Sequence, residues 1–500
     1  MERTVRLSPE KIAVIDEERR INFFDLSKKA KAIASFLNQF GFSNTPIAVY
    51  LPKSIESVCS NIAITYSANV YMNLDIKNPL ERIKNVINLI KPKIIISNNQ
   101  HITDLEKLTL DTSVELLNID SFDGNIEVNE DLLQEKIAKI IDTDPYCIIN
   151  TSGSTGTPKG VVLNHKSFID FTERSLENFQ FTDDEIIGSL SPIVFDIYSF
   201  ELCLLMAKSS TMVLIPGSLS AFPIEIINVL AKRAVSFLFW VPTIMVNIAN
   251  MDLLSQAQLP ALKIIWFAGE IFPTKQFNYW RKHLSTTLFA NLYGPIEITL
   301  DCTYYIVERH LNDNEPIPIG CTYKNTDILI LNEHNQLVKG QEEGELCVRG
   351  SSLAMGYYNN PEKTALAFVQ NPLNNAYPEI IYRTGDIVFI NTRGEIIIKG
   401  RKDNLIKHLG YRIELTEIEH VLVNTLKIVD NACAVHDSPK GRIIVYYEAQ
   451  EELSPAYFRK KILEHLPKYM VPTGYIKLQQ LPRNTNGKID RLALTNKALQ

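Results

Sequence analysis

Short apolar runs of strand length, separated by stretches with helical spacing, set the rhythm of this chain. Ile47-Ala48-Val49-Tyr50-Leu51 leads into a helical pattern over 54–67, and Lys93-Ile94-Ile95-Ile96-Ser97 follows another over 80–90. Tyr146-Cys147-Ile148-Ile149, Val161-Val162-Leu163, Thr211-Met212-Val213-Leu214-Ile215 and Ile264-Ile265-Trp266-Phe267 have the same β character. This alternation predicts mostly parallel sheets flanked by helices. Beyond about 325 the strands crowd together, at 327–331, 344–349, 387–390 and 395–398, and Asn391-Thr392-Arg393-Gly394 reads as a hairpin turn between the last two. After Arg401-Lys402-Asp403-Asn404 the pattern becomes a smaller α+β unit: a helix at 416–425, strands at 431–436 and 442–448, and a helix at 455–465. The expected fold is therefore α/β. A large domain of mostly parallel sheets with a strand-rich subdomain covers 1–400, a hinge covers 401–404, and a small α+β domain covers 405–500.

Composition narrows the class. The chain has 500 residues, more than one hydrophobic core ordinarily serves. It is 45% hydrophobic and 22% charged, as soluble globular proteins are. No apolar run approaches the roughly 18 residues of a membrane span, and the first residues lack the apolar core of a signal peptide. Seven scattered cysteines with no C-x-x-C suit a reducing cytoplasm and argue against a disulfide scaffold or zinc site. Cys59, Cys147, Cys203 and Cys347 sit in apolar settings and read as core residues. The net charge of −6 is uneven: residues 401–500 carry 16 Lys/Arg against 11 Asp/Glu, leaving the acidic excess in the first 400. The basic residues alternate with acids and lack an aromatic stacking pattern, which argues against nucleic acid. An acidic protein or another anionic partner is the better complement.

The chemistry concentrates first at 151–160, Thr-Ser-Gly-Ser-Thr-Gly-Thr-Pro-Lys-Gly, between two strand-like runs. Glycines permit close backbone approach. Thr151, Ser152, Ser154 and Thr155 offer hydroxyls, Gly153 and Gly156 free backbone amides, and Lys159 a cation, so the loop suits a phosphate. It is not the G-x-x-x-x-G-K-[ST] loop, because Gly160 follows the lysine.

With Phe195-Asp196, Asn291-Leu292-Tyr293-Gly294-Pro295-Ile296-Glu297, Tyr382-Arg383-Thr384-Gly385-Asp386, Gly400-Arg401-Lys402-Asp403, Gly410-Tyr411-Arg412-Ile413-Glu414 and Asn486-Gly487-Lys488-Ile489-Asp490 following in order, the chain resembles the adenylate-forming enzymes: acyl-CoA ligases, luciferases and amino-acid adenylation domains. The resemblance implies ATP and Mg²⁺, with residues 151–160 on the β- and γ-phosphates and Glu297 at the metal. It implies Tyr293 against adenine, Asn291, Leu292, Gly294 and the Ala268-Gly269-Glu270 backbone around it, and Asp386 on the ribose hydroxyls with Arg401 as a further nucleotide contact. Lys488 would be the catalytic cation between substrate carboxylate and α-phosphate. In the second half-reaction the small domain would swing about Asp403, taking Lys488 away and bringing Lys407 and Gly410 to a pantetheine tunnel. Two departures stand out: Ile296 replaces a threonine, and Leu405-Ile406-Lys407-His408-Leu409-Gly410 replaces Gln-Val-Lys-Ile-Arg-Gly.

Asp196 is expected to select the substrate, since amino-acid-activating members keep an aspartate there to pair with the ammonium; the bland alternative is an acid at a helix start. Ile197, Phe200, Phe239, Trp266, Ala268, Leu292, Leu300 and Asp301 complete the expected pocket, largely apolar and favouring proline or another small apolar amino acid. Asp301 is the misfit. The expectation is a free-standing cytoplasmic enzyme, with no nucleic-acid or membrane partner, that loads an amino acid onto a separate phosphopantetheinylated carrier protein. An acyl-CoA ligase and a non-catalytic nucleotide-binding homologue are the alternatives.

Overall fold

The computed structural model describes residues 1–500 other than 111, 123–126, 154–157, 438–439, 484–488 and 500, so Ser154, Thr155, Gly156 and Lys488 lie outside the described residues. The chain divides into two compact units. One comprises Met1–Ile76, Pro92–Ile149 and Val161–Lys402; the other comprises Lys77–Lys91, Asn150–Gly160 and Asp403–Gln500. Among the described residues no helix is long and apolar enough to cross a membrane.

Among the described residues the larger sheets have nine, seven and five strands. In the nine-stranded sheet, Leu288–Tyr293, Ile264–Phe267, Phe237–Trp240, Ile186–Ser189, Thr211–Leu214 and Ile12–Asp16 run parallel, with antiparallel strands at both edges. Every residue of Phe237–Trp240 and Ile264–Phe267 is buried, the continuous apolar reading of a sheet covered on both faces. In the seven-stranded sheet, Val70–Asn73, Pro46–Val49, Ile94–Ser97 and Glu115–Asn118 form a parallel core. The helix Ile55–Tyr66 between two of these strands starts where Ser54 and Ser57 form a reciprocal capping box. The third sheet is antiparallel and centres on Gly344–Gly350 and Ile380–Ile390; the latter pairs with Ile396–Arg401 across the expected turn.

In the smaller unit, the hairpin Leu405–His408/Tyr411–Glu414 precedes a three-stranded sheet of Asn431–Asp437, Arg442–Glu448 and Gly474–Lys477. Alternation along these strands feeds two cores. Ala432, Ala434, Ile443 and Val445 pack with Ile418, Leu422, Phe458 and Ile462, while Cys433, Val435, Ile444 and Tyr446 pack with Leu481 and Leu494. The helix expected over 416–425 is α-helical only over Leu415–His420 and continues as a π-turn over Val421–Thr425. There the Leu426 amide reaches back five residues to the Val421 carbonyl at 2.8 Å, and Val421 and Leu422 stay in the core. The helix expected to reach 465 ends at Ile462, ahead of Pro467.

Candidate functional site

Ligands of open parallel sheets bind beyond the carboxyl ends of the strands, and in the larger unit the predicted nucleotide residues gather there. Asn291, Leu292 and Tyr293 end the strand Leu288–Tyr293, and Ala268-Gly269-Glu270 follow Ile264–Phe267. Tyr293 is buried, and its hydroxyl donates to Asp386 Oδ2 at 2.5 Å. Burial, with the Asp386 carboxylate beside it, pushes the Tyr293 phenol well above its ordinary range. Asp386 and Arg401 are direct partners across antiparallel strands, and Arg401 donates to Asp386 Oδ1 at 2.6 Å and to the Thr384 carbonyl at 2.9 Å. The Asp386 carboxylate is thus only 6% exposed and held at both oxygens in one orientation, each oxygen keeping a further lone pair. The Asn291 side-chain amide donates to the Pro318 carbonyl at 2.8 Å. Glu270 accepts from the Thr243 amide at 3.0 Å and from its hydroxyl at 2.5 Å, which fastens the segment after Gly269.

Gly294 is demanded by close packing: a Cβ there would stand 2.3 Å from the Leu300 carbonyl oxygen and 2.5 Å from Asp301 Cα. Thr299 and Leu300 both adopt positive φ, 53° and 64°, a strained pair of non-glycine residues that turns the chain into Asp301. Asp301 and Leu300 are buried.

Glu297 is wholly buried in the short helix Ile296–Ile298, and the Tyr357 hydroxyl donates to its Oε1 at 2.8 Å. No cluster of three metal-ligating side chains exists among the described residues. One hard carboxylate nevertheless fits Mg²⁺, which commonly takes one or two protein carboxylates and completes its octahedron with substrate phosphates and water.

Asp196 is the first residue of the helix Asp196–Lys208, half-buried, and its Oδ1 accepts from the Ile197 amide at 2.9 Å. The alternative of an acid at a helix start is therefore met, and it coexists with any ligand role. One turn on, Phe200 stacks on Trp266 with ring centroids 5.3 Å apart and planes inclined at 20°. Phe239, the cross-strand partner of Trp266, meets it edge-on at 5.3 Å. These rings, with Ile197, Ala268 and Leu292, are buried, so the expected apolar wall is a packed aromatic cluster.

In the smaller unit, Lys159 begins the strand Lys159–Asn164 and pairs with Glu414 at 2.7 Å, each side chain 13% exposed. Ser152 Oγ donates to the Arg412 carbonyl at 2.7 Å and accepts from the Glu414 amide at 3.3 Å. Thr151 Oγ1 and both Asn150 amide atoms are buried with no hydrogen-bond partner among the described residues, so polar capacity remains at the head of the phosphate-type loop. Arg82 and Glu417 form a buried ion pair at 2.5 Å, and burial raises the Glu417 carboxyl despite the guanidinium. Gly410, at φ 80°, and Leu409, at φ 54°, form the hairpin tip beside Lys407. Asp403 Oδ1 accepts from the Leu405 amide at 3.3 Å.

Glu414, Tyr357 and Thr243 were not singled out as site residues. Glu414 lay inside a recognised motif, but nothing local tied it to a lysine 255 positions earlier.

A family model described as AMP-binding enzyme matches residues 1–358. Tyrocidine synthase 1 of Brevibacillus parabrevis is 31% identical over 490 residues, covering 97% of this chain and 43% of its own length. The chain thus spans less than half of that relative. Zwittermicin A synthase ZmaJ of Bacillus cereus is 28% identical over 503 residues, covering 99% of this chain and 93% of its own. Among solved structures, the Vibrio cholerae adenylation domain AlmE, in complex with glycyl-adenosine-5′-phosphate, superposes with a TM-score of 0.86 at 20% identity, covering 99% of this chain and 96% of that one.

Proposed function

This chain is a member of the AMP-binding enzyme family, and on that premise we propose that it activates an amino acid as its aminoacyl-AMP and passes the aminoacyl group to the phosphopantetheine thiol of a carrier protein. The observation that carries the amino-acid reading is Asp196. Its carboxylate stands at the start of a buried helix, and the turn behind it is walled by Phe200, Trp266 and Phe239. An ammonium group is the natural partner for a carboxylate at an apolar wall, and the wall suits proline or another small apolar amino acid.

In the first half-reaction a substrate carboxylate oxygen bonds to the α-phosphorus of ATP. The bond from that phosphorus to the bridging oxygen breaks, and its electron pair leaves with pyrophosphate. Asp386, pre-oriented by Tyr293 and Arg401, would accept the ribose hydroxyls; Lys159 and the hydroxyls and amides of 151–160 would hold the leaving phosphates. Glu297 would hold Mg²⁺, which supplies charge neutralisation on the polyphosphate when bound. Lys488 is assigned the catalytic role from its motif. In the second half-reaction the carrier thiol attacks the acyl carbon, AMP departs and the thiol proton passes to solvent, with Asp403 as pivot and the Lys407–Gly410 hairpin facing the pantetheine arm.

A pyrophosphate-exchange panel over D- and L-amino acids tests this. Exchange with a small apolar amino acid, its amino-acid KM raised steeply in Asp196→Ala and its rate slowed about 100-fold or more in Lys488→Ala, is expected. Exchange only with amine-free acids would make the protein an acyl-CoA ligase, and nucleotide binding with no adenylate from any acid would make it a non-catalytic homologue.

A further inference from the structure

The helix Asp196–Lys208 is buried on almost every side: Ile197, Tyr198, Ser199, Phe200, Glu201 and Leu202 are all buried. Close packing holds such a helix in place, and its polar contacts, being directional, further define its rotation. Tyr71 Oη donates to Ser199 Oγ at 2.8 Å, and Ser189 Oγ donates to Glu201 Oε2 at 2.5 Å. Lys53 Nζ in turn donates to the Ser189 carbonyl at 2.7 Å.

Glu201 is the unusual member. It is 0% exposed, and its Oε1 has no hydrogen-bond partner among the described residues. Burial lifts its carboxyl to about 7, against the pull of the Lys53 charge. Such a group costs stability that a leucine of similar volume would not. Its placement is specific. Ser189 ends the strand Ile186–Ser189, and the segment 190–195 then leads into Asp196. The Ser189–Glu201 bond therefore ties the strand before that segment to the helix after it, while Asn73 Nδ2 holds its middle through the Ile193 carbonyl at 2.7 Å.

We infer that Glu201, linked through Ser189 to Lys53, is a positioning residue that sets the rotation of this helix and thereby holds the Asp196 carboxylate where the substrate ammonium binds. The inference rests on the amino-acid reading of Asp196. An ammonium contact made equally in the ground and transition states governs KM and leaves kcat alone.

The experiment is steady-state pyrophosphate exchange by wild type, Glu201→Leu, Glu201→Gln and Ser189→Ala. Glu201→Leu is expected to raise the amino-acid KM tenfold or more, with the ATP KM changed less than twofold and kcat nearly unchanged. Glu201→Gln, whose amide oxygen still accepts from Ser189, should stay within threefold of wild type. If Glu201→Leu does not fold, Ser189→Ala removes the same bond and should raise the amino-acid KM alone. An amino-acid KM within twofold in both, a proportional rise in both KM values, or a glutamine variant as impaired as the leucine variant would overturn the inference. The underlying reading fails separately, if the wild type shows no amino-acid-dependent exchange or Asp196→Ala leaves the amino-acid KM unchanged.

Discussion

Tyr293 donates its phenolic hydrogen to Asp386 across 2.5 Å, joining the end of one sheet's strand to a strand of another. Arg401 holds the opposite carboxylate oxygen, so the acid is oriented before any ligand arrives. Removing the hydroxyl in Tyr293→Phe takes one of these two donors away and leaves the ring in its buried seat. Hydrogen bonds to charged groups are worth about 1.5–3 kcal/mol, so the ATP KM should rise roughly tenfold with a smaller change in kcat. Pyrophosphate exchange at varied ATP measures it; an unchanged ATP KM would detach this pair from the nucleotide.

Lys159 carries a different kind of bond, an ion pair with Glu414 that occupies the ammonium proposed for the phosphates. The polyphosphate and the Glu414 carboxylate then compete for one cation. Glu414→Gln should lower the ATP KM several-fold, and Lys159→Ala should raise it. Both effects should shrink as salt increases, because part of the attraction is screened. Equal ATP affinity in wild type and Glu414→Gln would remove the competition.

Glu201 gives a stability signature in pH. Its folded value near 7 lies above the ordinary 4.5, so the native state holds a proton that the unfolded chain releases. Stability from this group is intact below about 4.5 and falls as pH rises towards and through 7. The Lys53 ammonium and the Tyr198 phenol interact with it electrostatically. Glu417, also raised, contributes a slope of the same sign, so the difference between wild type and Glu201→Gln isolates Glu201. Urea midpoints from pH 5 to 8 should fall more steeply for wild type, and parallel curves would refute this.

Leu409 sits at the first position of a two-residue hairpin loop with φ 54° and its side chain 51% exposed. Left-handed backbone costs a branched side chain roughly 1–2 kcal/mol, and asparagine is the favoured residue there. Leu409→Asn should stabilise the protein by about 1 kcal/mol in urea unfolding, and a lower midpoint would count against local strain. The same variant should be assayed for carrier loading, because strained, exposed residues cluster where function needs them.

Local rules made much of this molecule legible. The strand runs at 146–149, 161–163 and 264–267 and the helices over 54–67 and 80–90 lie where periodicity put them, because alternation and helical spacing are properties of neighbouring residues. The π-turn at Val421–Thr425 escaped, since its extra residue answers to core packing and not to any local signal.

The sequence by itself determined which residue types stand at each motif, and hence the candidate chemistry: a phosphate-type loop, an acid at Asp386, a carboxylate at Glu297, an acid opening a helix at Asp196. Only the tertiary structure decided their partners. Tyr293 meets Asp386 from 93 positions away, Lys159 meets Glu414, and Glu201 reaches Lys53 through Ser189; the Asn291 amide goes to Pro318. Such pairings depend on how whole sheets and helices pack, and the cost of closing a long loop varies too slowly with its length to mark one distant partner over another. Side-chain chemistry is therefore written locally, whereas the orientation and burial that tune it arise only when the chain closes on itself.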